Sequence, residues 1–378
     1  MLKIIHCADI HLDSPFGNVG AHISHIRKEE LRSSFLSLID YAKRSGADIV
    51  LLAGDLFDGN FVSWQTAELV TAAFASAPEC RFVISPGNHD PYTPGSVYAK
   101  CRFPENVYIF SEPSLSRFSF PELDTDIYGY AFTSGTMSGN PFCGRTPERM
   151  SGINLLCAHG DVGVPLSHYC PVSESDIRDS GFDYCAFGHV HNGGEVSRAG
   201  NTYYAYSGCL VGRDFGETGE KGALELEIEK TNGILTLRHK FVPFSERVYE
   251  ISDVDVSGCR DGHAVMQTAR NAVTESGYGK NTLLRLGLTG SVPPSLDIDV
   301  GAVESALADM LYYVEAEDRT LPIYDAKQLE SDMTIRGAFF RELLPALEHG
   351  TAEERTAAAQ ALRVGLAALA GEDFTSVI

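Results

Sequence analysis

Side chains that can bind metal ions or transfer protons follow five separate apolar runs of the chain. Each run has the length and composition of a buried β-strand, and the polar residues come where the strand should end. In chain order they are Asp9, His11, Asp55, Asn88, His89, Asp90, His159, His189 and His191. Carboxylate, amide and imidazole groups together favour Mn, Fe or Zn, and Mg less well, and no thiolate stands among them. The pattern predicts a metal-dependent reaction centre.

These ligands are more numerous than a single ion needs. Two ions about 3.5–4 Å apart, bridged by one carboxylate, would use all of them. The pairs Asp9–His11 and His189–His191 are each spaced by one residue, which places both side chains on one side of an extended segment. A lone histidine in an apolar run is usually a core residue, and we assign His6 that role. The coincidence of ligand residues at five strand ends favours a functional site over a set of turns.

The strands that carry these residues are predicted to be parallel neighbours. LKIIHC, ADIVLLAG and CRFVISPG are separated by two predicted helices, over residues 23–46 and over SWQTAELVTAAFASA. This βαβαβ order implies parallel strands covered by helices, and ligands bind where the carboxyl ends of such strands meet. Further apolar strands and a hairpin that turns at Asn232–Gly233 follow. Two sheets packed face to face, with helices outside, would fit the pattern.

The composition limits the classes of protein to which the chain can belong. It has 378 residues, a net charge of -21 and no apolar run long enough for a membrane span, and its first residues lack the apolar stretch of a signal peptide. The nine cysteines form an odd set without a C-x-x-C pair, as expected of buried thiols in a reducing compartment. We expect a cytoplasmic protein that does not bind membranes. The acidic balance counts against broad affinity for DNA, although bound metal would make a local site positive.

The composition of the sequence shifts from about Tyr249, where a smaller α+β segment begins. The end of the chain has helical periodicity and includes a capping box at Thr351 and Glu354. We therefore expect a catalytic domain over residues 1–247, a capping or substrate-selecting domain over 248–328 and a helical tail over 329–378.

The motifs D-x-H, G-D, G-N-H-D, H-G and G-H-x-H, in this order, resemble those of the calcineurin-like metallophosphoesterases. The variants ADIHLDSPF, LAGDLFD, SPGNHD and FGHVH are similar to the nuclease subunit of the SbcCD complex, and GCLVGRDFGETGEKG is similar to its YhaO-type exonuclease-like branch. The resemblance is strong over about residues 1–245. It implies a four-layer α/β/β/α sandwich of two packed sheets with flanking helices, followed by a smaller C-terminal α+β capping domain and a helical tail.

The resemblance also implies a role for each motif residue. One metal ion would be held by Asp9, His11 and His191, the other by Asn88, His159 and His189, and Asp55 would bridge the two ions. His89 would face the scissile phosphate, and Asp90 would hydrogen-bond the His89 imidazole and hold it in orientation. The cofactors would be two divalent ions, most often Mn²⁺, with Fe, Zn or Mg as the other possibilities.

The activity implied is that of a two-metal phosphodiesterase, an SbcD-type DNA exonuclease or endonuclease of DNA repair. A hydroxide that bridges the metals would attack the phosphodiester in line. The partners implied are DNA, an SMC-like ATPase and a second copy of the chain. Two alternatives stay open, namely a phosphoesterase acting on a nucleotide or another small phosphoester, and a non-catalytic adaptor of the ATPase. The acidic composition favours the small substrate, whereas the motif variants favour DNA.

Three further polar residues are less clearly assigned. Arg213 and Lys221 are expected either to meet substrate phosphates or to be solvated loop charges. Asp58 stands where archaeal and eukaryotic relatives carry a histidine, and we expect it to be a structural turn residue.

Overall fold

The computed structural model describes residues 1–17, 21–59, 61–293 and 296–370. The chain divides into two compact units, Met1–Val248 and Tyr249–Ile378. The expected helical tail, 329–378, falls within the second unit, and its residues 371–378 lie outside the described part of the chain.

Two six-stranded sheets form the first unit. The first sheet contains, in spatial order, β12 (Ile234–Pro243), β11 (Gly222–Thr231), β1 (Leu2–Cys7), β2 (Ile49–Leu52), β3 (Arg81–Ile84) and β4 (Val107–Ile109). The second contains β5 (Ser116–Phe120), β6 (Thr125–Gly129), β7 (Ile153–His159), β8 (Tyr184–Gly188), β10 (Thr202–Tyr206) and β9 (Val196–Ala199). Strands β1 to β4 are parallel, and so are β6, β7, β8 and β10. Each sheet therefore has one edge where several carboxyl ends meet.

Alternate side chains of the strands pack on opposite faces, which produces the layers. In β2, Val50 and Leu52 join a core with the helices, whereas Ile49 and Leu51 join a core with the second sheet. In β7, Leu155 packs in the core between the sheets, and the next residue, Leu156, packs in the outer core. This two-residue period buries both faces of the parallel strands. The expected four-layer α/β/β/α sandwich is confirmed.

The helices of the first unit are α1 (Ala21–Ser45), α2 (Trp64–Ala75), α3 (Val97–Lys100) and α4 (Glu174–Asp179). On α1 the predicted apolar stripe is buried, with Phe35 and Leu38 inaccessible to solvent. The α2 helix begins at the N-cap Ser63, whose side chain accepts a hydrogen bond from the Thr66 N–H.

The second unit is an α+β arrangement. It contains β13 (Val248–Asp255), α5 (Gly262–Glu275), β14 (Thr282–Thr289), β15 (Ser291–Val292), α6 (Val300–Leu307), β16 (Tyr313–Asp318), β17 (Leu321–Pro322), α7 (Ala326–Ser331), α8 (Ile335–His349) and α9 (Ala352–Ala370). Strands β13, β14 and β16 form a three-stranded sheet, and β15 pairs with β17. The predicted capping box is present, because the Glu354 carboxylate accepts from the Thr351 N–H and the Thr351 hydroxyl accepts from the Glu354 N–H. Within the described residues, no helix combines the length and apolarity that a membrane span requires.

Candidate metal centre

The nine motif residues follow five parallel strands of the first unit, and the structure brings their side chains together. The Nε2 atoms of His11 and His191 lie 3.4 Å apart, and Nε2 of His159 lies 2.8 Å from Oδ1 of Asn88. Asp55 lies between these pairs, with Oδ2 3.7 Å from the His11 Nε2 and 3.4 Å from the His159 Nε2. Residues about 180 positions apart thus converge on one centre.

The loops that carry the carboxylates have an unusual backbone. Asp9, His11 and Asp55 have φ angles of 51°, 52° and 52°, in the left-handed region that non-glycine residues rarely adopt. Such a conformation costs on the order of 1–3 kcal/mol and persists where the surroundings enforce it. Here hydrogen bonds between the two loops do so, from the Asp9 N–H to the Gly54 carbonyl at 3.0 Å and from the His11 N–H to the Asp55 carbonyl at 2.9 Å.

Glycines occur in the motifs because the backbone approaches the ligands closely. Gly54 has a φ of 94°, and a Cβ at this position would lie 2.2 Å from Nδ1 of His159. At Gly87 a Cβ would lie 2.2 Å from Oδ1 of Asp55. Any side chain at either position would displace a ligand residue, which explains why a glycine precedes both the aspartate and the asparagine.

The imidazoles of His11 and His191 are oriented by carboxylates. Nδ1 of His11 donates to Oδ1 of Asp58 at 2.9 Å, and Nδ1 of His191 donates to Oε1 of Glu217 at 2.6 Å. With both Nδ1 atoms protonated, the two Nε2 lone pairs face each other, an arrangement that a cation between them would satisfy. Burial lowers the pKa of His11 to about 4, so its ring is neutral at pH 7. Burial also acts to lower the pKa of His191, but the hydrogen bond to Glu217 and the charge of Asp9 raise it above its usual value.

His159 is oriented by a backbone carbonyl instead. Its Nδ1 donates to the Ala53 carbonyl at 3.0 Å, and its Nε2 lies 2.8 Å from the Asn88 side-chain oxygen. Nδ1 of His189 also lies 3.2 Å from this oxygen. The ring of Tyr169 lies against His189, with ring centroids 4.8 Å apart. Asn88, His159 and His189 thus form a second group, and the His159 Nε2 of this group lies 3.4 Å from Oδ2 of Asp55.

Comparison with known proteins agrees with this arrangement. Residues 2–193 match the calcineurin-like phosphoesterase family. The chain belongs to this family. It is 30% identical over 360 residues to the uncharacterized metallophosphoesterase YhaO of Bacillus subtilis, covering 90% of this chain and 85% of the relative. It is 22% identical to the DNA double-strand break repair protein Mre11 of Methanopyrus kandleri, covering 89% and 75%, and 31% identical to a subunit of the nuclease SbcCD of Rhodobacter capsulatus, covering 24% and 22%. As a calcineurin-like phosphoesterase, the chain is a hydrolase of phosphoester bonds.

The carboxylates of this phosphoesterase fit divalent cations. Asp9 and Asp55 are each about 1% exposed, and the ion pairs described for them are formed with imidazoles alone. Burial raises the pKa of Asp9 to about 6, against the smaller lowering effects of the His159 and His191 imidazoles. Asp9, His11 and His191 place ligand atoms within 4.8 Å of one another, and so do Asp9, Asp55 and His159. The donor set therefore suits the divalent metals on which the family depends.

His89 and Asp90 point in different directions. The His89 side chain is exposed, and its ring meets that of His11 edge to face with centroids 4.8 Å apart. The Asp90 carboxylate is buried and accepts from the Gly87 N–H, the Phe57 N–H and, at 2.5 Å, the Tyr98 hydroxyl. None of the hydrogen bonds of the described residues joins Asp90 to the His89 ring. In this structure Asp90 supports the loop backbone, contrary to the orienting role expected for it.

The loop after β10 places Arg213 and Lys221 beside the centre. Arg213 donates to Oδ1 of Asp58 at 3.1 Å and to Oε1 of Glu217 at 3.0 Å. Lys221 is buried, and its ammonium donates to the Asn192 side chain at 2.5 Å. Both cations thus have partners within the protein, and contact with substrate stays a prediction. The sequence pattern gives no sign of Glu217 and presents Asp58 as a turn residue, since neither belongs to a ligand motif.

Described residues of the second unit also line a half-open cavity of about 1100 Å³ against α9. None of the motif residues lines it.

Proposed function

We propose that this calcineurin-like phosphoesterase is a two-metal phosphodiesterase that hydrolyses DNA. The observation that carries the proposal is the convergence of two ligand groups on Asp55, with the exposed imidazole of His89 beside them. In this proposal Asp9, His11 and His191 hold one ion, Asn88, His159 and His189 hold the other, and Asp55 bridges them. Mn²⁺ is the ion we propose, because the mixed oxygen and nitrogen donors suit it.

The residues divide the chemistry between them. Bound divalent ions lower the pKa of water and offset negative charge on the phosphate during in-line displacement. His89 is the residue free to act on the substrate, since its side chain is exposed whereas His11, beside it, is buried. In the protonated form it would donate to the leaving oxygen or to the phosphate. Asp90 keeps the loop of His89 in place through the Gly87 and Phe57 amides.

Two observations support DNA as the substrate. Relatives that align with the chain include a DNA double-strand break repair protein and a nuclease subunit. In addition, Phe61 and Trp64 are exposed, at 100% and 76%, in the segment that follows Asp58. Exposed aromatic rings in a segment that follows a residue of the centre would provide surfaces on which bases stack.

A small phosphoester is the second candidate, because the net charge of -21 disfavours a long polyanion.

We also propose the finer assignments that the resemblance implies, namely a role in DNA repair, a selecting role for the second unit, an SMC-like ATPase as partner, and a homodimer. The nine free cysteines support a cytoplasmic location.

The test compares DNA with a small phosphodiester. The wild-type chain and a His89→Asn variant are supplied with Mn²⁺ and given end-labelled DNA or bis(p-nitrophenyl) phosphate. We expect the wild type to cleave DNA and the variant to be slower by about 10²–10⁴-fold, the usual contribution of a general acid. A His263→Asn variant is the matched control, because His263 lies in the second unit, away from the motif residues in the chain.

Each other outcome favours an alternative. Cleavage of the small diester alone would overturn the DNA assignment and keep the metal-dependent hydrolase. If two ions are bound and neither substrate is cleaved, also after addition of an SMC-like ATPase, the adaptor function replaces the catalytic one.

A further inference from the structure

We infer that Asp58, Arg213 and Glu217 form a positioning unit that gives the ion site of His11 and His191 a higher affinity than the other site. The inference rests on the metal ligands of the proposed function. It concerns the support of the metal ligands, a role that the sequence analysis gives to none of the three residues.

Asp58 and Glu217 are hydrogen-bonded to the two imidazoles, and a terminal nitrogen of Arg213 lies 3.0 Å from Nδ1 of His191. Asp58 accepts from Nδ1 of His11 at 2.9 Å, and Glu217 accepts from Nδ1 of His191 at 2.6 Å. Arg213 bridges the carboxylates through one terminal nitrogen to Asp58 at 3.1 Å and through the other to Glu217 at 3.0 Å. One guanidinium thus joins two carboxylate–histidine pairs into a closed network.

This network fixes both rings in the orientation that ligation requires. A carboxylate at Nδ1 selects the tautomer that leaves Nε2 unprotonated, and it raises the basicity of that atom. The two Nε2 atoms, 3.4 Å apart, are therefore aimed at the same point. Because Arg213 neutralises part of the charge on Asp58 and Glu217, both carboxylates can stay close to each other while mostly buried.

Arg213 also limits how the carboxylates can move. A carboxylate oxygen of Asp58 lies close enough to His11 and His89 to form a ligand group with them. While Arg213 and His11 both donate to Oδ1 of Asp58, the lone pairs of that oxygen are directed at hydrogen-bond donors. Glu217 is held in a similar way, since its second carboxylate oxygen, Oε2, accepts from the backbone N–H of Arg213 at 2.7 Å. The network therefore holds Oδ1 of Asp58 and both oxygens of Glu217 in hydrogen bonds that support the imidazoles.

The second ligand group has a different kind of support. Nδ1 of His159 donates to a neutral backbone carbonyl, that of Ala53. A carbonyl carries no full charge, so it raises the basicity of the imidazole less than a carboxylate does. The other imidazole of this group, that of His189, has a carboxylate oxygen of Asp161 3.4 Å from its Nε2, a longer contact than those that His11 and His191 make with carboxylates. One side of the centre therefore has two close carboxylate–imidazole pairs and the other has a carbonyl and one more distant carboxylate, which predicts ions of unequal affinity.

The test measures metal binding and does not depend on activity. Metal-free protein is titrated with Mn²⁺ by calorimetry, and the free ion is followed by its electron paramagnetic resonance signal. We expect two unequal sites in the wild type. Glu217→Gln and Asp58→Asn should each weaken the tighter site by about 10–100-fold, as loss of such partners usually does, and leave the weaker site unchanged. Glu220→Gln is the matched control, since Glu220 is an exposed carboxylate of the same loop.

Thermal unfolding in chelator shows whether each variant is folded, and the two variants provide independent tests if one is not. The inference is overturned if both sites weaken equally, or if the tighter site is unchanged in both folded variants. The proposed function fails separately, if the wild-type chain itself binds fewer than two ions.

Discussion

The backbone N–H of His189 donates to both oxygens of the Asp9 carboxylate, at 3.0 and 3.1 Å. Asp9 follows β1 of the first sheet, and His189 follows β8 of the second. One carboxylate thus links the two layers at their carboxyl ends, and its orientation is set by a backbone group. The centre is therefore assembled by the packing of the sandwich, with its ligand geometry partly fixed before any ion binds.

Removal of metal is expected to loosen the first unit. Ligands that bind only the folded state stabilise it by about 2.7 kcal/mol when present at 100 times their dissociation constant. Thermal unfolding with excess Mn²⁺ should therefore occur several degrees higher than in chelator. The increase should be lost in an Asp55→Asn variant, because Asp55 contacts both ligand groups. An unchanged midpoint in the wild type would contradict a centre that spans the two sheets.

Replacement of Gly54 by alanine is expected to disrupt the centre. The added Cβ would lie 2.2 Å from Nδ1 of His159, and the φ of 94° is sterically unfavourable for any residue other than glycine. Strain and overpacking together should lower the free energy of unfolding by roughly 2–4 kcal/mol. Gly59→Ala is the control, since a Cβ there meets nothing within 4 Å. Urea denaturation of both variants would check this. Equal stabilities would show that the loop can rearrange to accommodate the added Cβ.

His6 is expected to make stability depend on pH. Its Nε2 donates to the Phe187 carbonyl and its Nδ1 accepts from the Tyr184 hydroxyl. Burial lowers the pKa of His6 from 6.5 to about 3, against the smaller effect of the Phe187 hydrogen bond. Between these values the unfolded chain binds a proton that the folded chain does not, so stability falls as pH decreases from 6.5 toward 3.

A His6→Gln variant cannot take up this proton and isolates the effect. The stability advantage of the wild type over the variant should shrink by about 2 kcal/mol between pH 7.5 and pH 5.0. Denaturation in chelator at both pH values measures it, because other titrating groups are common to the two proteins. A constant difference would mean that His6 takes up its proton in the folded chain as readily as in the unfolded chain.

Trp64 is expected to distinguish DNA from a small substrate. Base stacking on an aromatic ring contributes about 1–3 kcal/mol per base, so Trp64→Ala should raise KM for single-stranded DNA by roughly 5–150-fold. The KM for bis(p-nitrophenyl) phosphate should not change. Met333→Ala, an exposed apolar position of the second unit, controls for general surface effects. A parallel change with both substrates would remove Trp64 from the binding surface.

The convergence of the motif residues could be predicted from the sequence because their position at strand ends is a local pattern. Apolar runs mark β1, β2, β3, β7 and β8, and parallel pairing then forces the residues after them together. The N-terminal helix, expected over 23–46, is observed as Ala21–Ser45. The histidine His6, expected to be structural, is buried and bonded within the core.

The contacts that orient the ligand imidazoles could not be predicted, because they depend on side-chain directions that are set by the tertiary structure and not by the local sequence. Glu217 reaches His191 only because the loop after β10 folds back, and Asp58 reaches His11 across two loops. Asp90 adjoins His89 in sequence, yet its carboxylate turns inward because three donors, including the Tyr98 hydroxyl, surround it there. Such contacts require the tertiary structure.

The left-handed backbone at Asp9, His11 and Asp55 restricts which replacements these positions tolerate. In a saturation library, valine, isoleucine and threonine at these positions would destabilise the fold through backbone strain, in addition to removing the functional group. Asparagine adopts this conformation with the least resistance of the non-glycine residues. Asp55→Asn therefore retains the shape of the loop while removing its charge. That property makes it the variant of choice for trapping an uncleaved substrate in a crystal.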